Sequence, residues 1–133
     1  MIESNTGYSS FDNLDYKVKK DILGWDVVNW LKALKYWEKY CDLFQQKYLC
    51  LEIGSGKSSG GLSLWLALNG NYVICSDLKS PRKCSHPIHQ KYNCIYQIEY
   101  QSIDAVSIPY NNYFDIVAFK SDLGGISRKY NEK

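Results

Sequence analysis

No unbroken apolar run in this chain is longer than Leu64 to Leu68. A membrane-crossing helix needs about 20 apolar residues, so none is expected. The first twenty residues contain no apolar stretch of the kind that drives secretion. Cysteine is also uninformative as a framework. Cys41, Cys50, Cys75, Cys84 and Cys94 make an odd count, and no two of them stand at CxxC spacing. Cys50 and Cys75 lie within apolar runs, where a thiol behaves as a small hydrophobe. Reduced, buried cysteines in a cytoplasmic protein are therefore the expectation. The net charge is only +2. Such a balance lacks the concentrated basic face on which nucleic-acid binding leans. Internal repeats, low-complexity tracts and linkers are absent.

What remains is an ordinary globular composition of 133 residues, 45% hydrophobic and 23% charged. That length predicts one domain, residues 1–133, with enough chain to bury a core. Residues 1–20 are polar and mixed and read as a loose arm. From Asp26, a plausible N-cap, Trp30, Leu31, Leu34, Trp37, Cys41 and Phe44 recur at helical spacing. This predicts an amphipathic helix over 26–46. Its tryptophans, with Trp25, pack on the sheet or cover a ligand. Tyr48 to Ile53 is a short apolar run ended by glycine and reads as a buried strand. A glycine- and serine-rich turn, Gly54 to Gly61, leads to a buried helix, Leu62 to Leu68, stopped at Asn69-Gly70. Tyr72 to Ser76 reads as a second strand ended by Asp77. A short helix is expected around His86 to Tyr92. Ile95 to Tyr100 alternates like a half-exposed edge strand, and Phe114 to Phe119 reads as a fourth. Alternating strands and helices predict an α/β domain with a mainly parallel sheet and helices on both faces. Ligands then bind beyond the carboxyl ends of the strands, where strand order reverses.

The turn Gly54-Ser55-Gly56-Lys57-Ser58-Ser59-Gly60-Gly61 is where chemistry is expected. Glycines between a strand and a helix let a ligand approach the backbone closely. Gly56-Lys57-Ser58 matches the end of a Walker A phosphate loop. That motif, however, requires a glycine at position 51, which is Leu51 inside the strand. A dinucleotide fingerprint requires its third glycine at position 59, which is Ser59. Asp77 does stand about 20 residues on, where a ribose-binding acid is expected.

Read together with Glu52, the segment resembles the class I S-adenosylmethionine-dependent methyltransferases. Their first motif is an acid followed by glycines at alternate positions. Here these are Glu52, Gly54 and Gly56, with Ser58 at the next alternate position. Asp77-Leu78 resembles the second motif, an acid closing the second strand. Ile103-Asp104-Ala105-Val106-Ser107-Ile108-Pro109-Tyr110 resembles a third, and Phe114-Asp115-Ile116-Val117 a strand-four signature. The resemblance spans residues 48–126. It implies a Rossmann-like sheet in the order 3-2-1-4, with S-adenosyl-L-methionine as cofactor. It also implies cofactor contacts from Glu52, Gly54, Ser55, Gly56, Asp77, Leu78, Ile103, Asp104, Ala105 and Lys120. In this reading Asp77 accepts the two ribose hydroxyls. Asp104 accepts from the adenine amino group, between Ile103 and Leu78. Glu52 has a second reading, in which it bonds nearby backbone amides.

The implied activity is methyl transfer to a small molecule, and no membrane partner is expected. No catalytic residue is assigned. Lys120, Ser121 and Asp122 follow strand four, where such residues often lie in the family. The family's sheet usually continues past strand four. In this chain strand four is therefore expected as an open edge, through which the protein pairs with itself or another chain. A truncated, non-catalytic binding module and another nucleotide-binding enzyme are the alternatives. Cys84, His86, His89 and Cys94 include zinc-type ligands, but their spacing fits no zinc pattern and Pro87 interrupts them. They read as a polar loop and helix, without metal. The lysine and arginine groups at 17–20 and 79–83 read as solvated surface.

Overall fold

The computed structural model describes residues 14–40, 47–56 and 59–120. Its elements are α1 (Tyr16–Leu23), α2 (Val27–Tyr40), β1 (Leu49–Ile53), α3 (Gly61–Leu68), β2 (Tyr72–Asp77), α4 (Arg82–Lys91), β3 (Ile98–Ser102) and β4 (Ile116–Phe119). The four strands form one sheet in the order β3-β2-β1-β4, and every neighbouring pair is parallel. This is the expected α/β, Rossmann-like sheet, preceded by N-terminal helices, but among the described residues the helices pack on one face rather than on both. Asp115 helps set the register of β4. Its carboxylate accepts from the Leu49 amide at 2.9 Å, while its own amide donates to the Leu49 carbonyl at 2.8 Å.

Strand alternation divides the core in two. Cys50, Val73, Cys75 and Ile98 face the helices and pack with Leu34, Leu62, Trp65 and the end of α1. Leu51, Ile53 and Ile74 point the other way and pack with Ile103. Among the described residues this second face is covered by no helix. The β3–β4 connection crosses it, applying Ala105, Ile108, Tyr110 and Phe114. Tyr110 stacks on Tyr113, and both meet Phe114 edge-on, with centroids 4.9–5.0 Å apart.

Four local expectations are corrected. Residues 16–20, read as loose arm, belong to α1, whose end seats on α3. A Cβ on Gly61 would stand 1.7 Å from the Ile22 carbonyl oxygen, so glycine is what lets the two helices meet. α4 begins at Arg82, before the expected start, and continues through Pro87. The ring removes the bond to the Lys83 carbonyl, but both residues lie on the exposed side, where water replaces it. β3 starts three residues late, because Ile95–Gln97 form a 3-10 turn. There the Gln97 side-chain Nε2 donates to the Ala67 carbonyl at 2.9 Å, helping to satisfy the end of α3. β3 is an edge strand, as expected. Asp26 caps differently from the expectation. It sits at a left-handed φ of 51°, and its carboxylate accepts from the Asn29 side chain at 3.0 Å. The helix over 26–46 is seen as Val27–Tyr40. Its last expected turn, most of the N-terminal arm, Lys57, Ser58, Asp122 and the chain's end lie outside the described residues.

Candidate functional site

In the order β3-β2-β1-β4 the direction of strand addition reverses between β1 and β4, and ligand crevices form beyond the carboxyl ends of the strands at such a point. The turn after β1 is held from below by a buried carboxylate. Glu52, 1% exposed, accepts at Oε1 from the Ser63 amide at 2.9 Å and from the Ser63 hydroxyl at 2.7 Å. Ser63 is the third residue of α3, so Glu52 satisfies an end amide that the helix itself cannot bond. A negative charge there also suits the helix dipole. Of the two roles left open by the sequence, the geometry has Glu52 in the backbone-bonding one.

Beside it, His89 closes the far end of the turn. Its Nε2 lies 2.8 Å from the Gly60 carbonyl oxygen, and its Nδ1 lies 2.7 Å from the Tyr100 hydroxyl. A carbonyl only accepts, so Nε2 carries the proton and the Tyr100 hydroxyl donates to Nδ1. Burial holds this imidazole below its ordinary pKa of 6.5. Burial, with the Glu52 charge nearby, pushes the Cys75 thiol up to about 12, so it is an unreactive thiol. Ser63, His89 and Tyr100 were missed in sequence reasoning. Ser63 was detectable as the one polar side chain in an otherwise apolar helix. His89 was detectable as a member of the Ser85, Ile88, His89, Tyr92 stripe.

The second predicted feature stands over the turn. Asp77 closes β2, and a Cβ on Gly56 would lie 2.5 Å from its Oδ2. Glycine at 56 thus gives the carboxylate room against the backbone. Asp77 Oδ1 accepts from the Leu78 amide at 2.8 Å, and the Asp77 carbonyl accepts from the Ile103 amide at 2.8 Å. Gly56, Asp77 and the Ile103-Asp104 step are therefore brought together at the ends of three adjacent strands. Gly54 makes the turn out of β1 at φ 65°, and Ser55 is fully buried, with its amide donating to Ser76 at 2.9 Å. Asp104 is half-buried and accepts from the Val106 amide at 3.1 Å. Of the two residues implied as walls for a base, Leu78 is 46% exposed, while Ile103 at 3% belongs to the core. Ala105 is half-buried against that same core.

Lys120 is drawn elsewhere. Its ammonium donates to the carbonyls of Leu23 and of Trp25, the latter at 3.0 Å. It also lies 4.3 Å from the Trp25 ring centroid and 5.1 Å from that of Trp30. Burial pulls it down to about 8, against the opposing pull of Asp26 and Glu52. It ties the α1–α2 turn to the end of β4 and is not grouped with Asp77. Trp37, by contrast, packs on Trp65 at 6.0 Å and serves the core.

The four zinc-type residues do not converge. His89 has both nitrogens engaged, Cys84 is exposed, and Cys94 is buried with its thiol directed at the Tyr92 carbonyl. Among the described residues no cluster of potential metal ligands is found, and no helix is long and apolar enough to cross a membrane. Comparison with protein-family models, curated proteins and solved structures finds no match.

Proposed function

We propose that this chain binds S-adenosyl-L-methionine at the carboxyl edge of its sheet and is a cytoplasmic methyltransferase of the class I kind, acting on a small molecule. The observation that carries the reading is the Asp77 carboxylate packed against Gly56, on the strand next to the glycine turn. The donor set fits the nucleoside part of such a cofactor. A carboxylate with two oxygens is matched to a pair of vicinal hydroxyls, and Leu78 offers an apolar surface for a flat base. When bound, the cofactor supplies a methyl group activated by its sulfonium. This chain's own residues bind and orient. Asp77 holds the ribose, Glu52 and His89 fix the turn from beneath where it enters α3, and Asp104 faces the base. Such positioning is most of what a transfer from an already activated donor requires.

The direct test is calorimetric titration of S-adenosylhomocysteine into residues 1–133, with NADH and ATP as controls. Binding of S-adenosylhomocysteine alone supports the reading. Binding of NADH or ATP in its place replaces it with another nucleotide-dependent activity.

A second reading, a binding module that pairs through the β4 edge, is favoured by one observation. Val117 and Phe119 of this short edge strand are 48% and 41% exposed. Exposed apolar edge strands are pairing sites. A solution mass above that of one chain supports it, and a strictly monomeric mass at high concentration removes it.

A further inference from the structure

We propose that the recess at the start of α4 is a binding site for a phosphomonoester, separate from the glycine turn. The recess is shallow and open to solvent, with a volume of about 510 Å³, and is lined by Ser80, Arg82, Lys83, His86 and Pro87. Among the described residues no acidic side chain lines it. Two of its residues are fixed cations, one is an imidazole and one is a hydroxyl, which is a complete donor set for a phosphoryl group.

The cations are not committed elsewhere. Among the described residues neither Arg82 nor Lys83 makes an ion pair, whereas Lys91 on the same helix pairs with Asp21 at 3.0 Å. The arrangement is also held in place. The Arg82 guanidinium lies 5.9 Å from the Tyr100 ring centroid, and the His86 ring lies 5.9 Å from the same ring. Tyr100 is itself fixed by stacking on His89 at 5.7 Å and by their hydrogen bond. One rigid tyrosine therefore orients both the guanidinium and the imidazole. A preset planar donor loses less freedom on binding a phosphate than a free one.

The helix end adds to the same field. α4 has no acidic residue in its first turn, the Ser80 hydroxyl accepts from the Arg82 amide at 3.5 Å, and the Pro81 carbonyl accepts from the Cys84 and Ser85 amides. The helix dipole favours an anion where the cationic side chains gather. Screening by salt is expected, because Arg82 and Lys83 are exposed.

His86 is one of two histidines, so its imidazole proton resonances, assigned with a His86→Asn variant, report on the recess. The experiment titrates inorganic phosphate, then glycerol phosphate, into the full chain at constant ionic strength. The expected result is a saturable shift of the His86 signals by both. An Arg82→Ala/Lys83→Ala variant should weaken binding at least about tenfold, the scale of losing a charge-assisted contact. Both substitutions are on the surface, and an unchanged His89 signal would certify the fold. A Lys32→Ala/Lys35→Ala variant, on α2, should bind as the wild type does. Three results would overturn the proposal. These are an equal shift from sodium chloride alone, an undiminished shift in the Arg82/Lys83 variant, or a preference for a single-stranded oligonucleotide over the monoester.

Discussion

The two faces of the sheet bury similar strands by different means. Beneath the connection from β3 to β4, Leu51, Ile53, Ile74 and Ile103 form a wholly apolar layer. On the helix face the same strands carry Glu52, Cys75 and Ser63's partners, and α4 contributes His89. Buried polar groups cost stability unless they are paired. Here those pairings converge where the glycine turn runs into α3, at Gly60 and at Ser63. The apolar face supplies burial without directional demands. The helix face gives up some of that burial to hold one backbone segment in place.

This contrast breaks most severely at Gly61. Gly61→Ala places a methyl group against the Ile22 carbonyl oxygen. The backbone there has no rotamer with which to yield, so α1 must lift from α3. A loss of about 3 kcal/mol or more is expected in denaturant titrations, with α1 amides losing exchange protection first. Next in size is Glu52→Leu, which leaves the Ser63 amide and hydroxyl without their acceptor. It should cost about 2–3 kcal/mol, and Glu52→Gln should recover part of it. A conservative apolar change on the other face, Ile74→Val, should cost only about 1 kcal/mol by comparison.

His89 sharpens the comparison through pH. Its folded pKa is depressed by burial below the ordinary 6.5. The unfolded chain therefore binds the proton more readily than the fold does. The stability held by the neutral ring is complete above pH 6.5 and is lost as pH falls below it. Between about pH 7 and about pH 5, the wild-type Tm should fall more steeply than that of a His89→Gln variant. The smallest effect is expected at the edge of the sheet. Val117→Lys should change monomer stability by less than about 0.5 kcal/mol. It should nevertheless abolish any self-association visible by sedimentation, if β4 pairs with a second copy.

The sheet was legible in the sequence because β1, β2 and β4 are compact apolar runs and β3 alternates as an edge strand does. The order β3-β2-β1-β4 was implied by the family resemblance rather than by the runs, which point only to a parallel α/β sheet. The glycine turn and Asp77 were legible for a related reason, since both interrupt apolar patterns at strand ends. α1 was not legible. Only Ile22 and Leu23 in its last turn are buried, so its stability comes from docking on α3 rather than from an apolar stripe. α4 was half hidden by Pro87, whose cost falls on the solvent side. Ile95–Gln97 carried an alternating pattern but turned into a 3-10 segment, with Tyr96 90% exposed. Lys120 looked available for a ligand because sequence gives no hint that the α1–α2 turn would present two carbonyls and two indoles to it. The partners of Glu52 and His89 lie 11 and 29 residues away, and only the fold brings them together.

The central claim is that the Asp77 carboxylate at the mouth of the glycine turn holds a nucleoside cofactor. It is tested most directly by titrating S-adenosylhomocysteine into the wild type and into Asp77→Asn side by side. The account predicts micromolar binding to the wild type. In the variant it predicts affinity lower by about tenfold or more, with Tm unchanged, because Asp77 makes its close contacts at the surface of the turn. Equal affinity in both proteins, or no binding to a wild type shown to be folded, would contradict it.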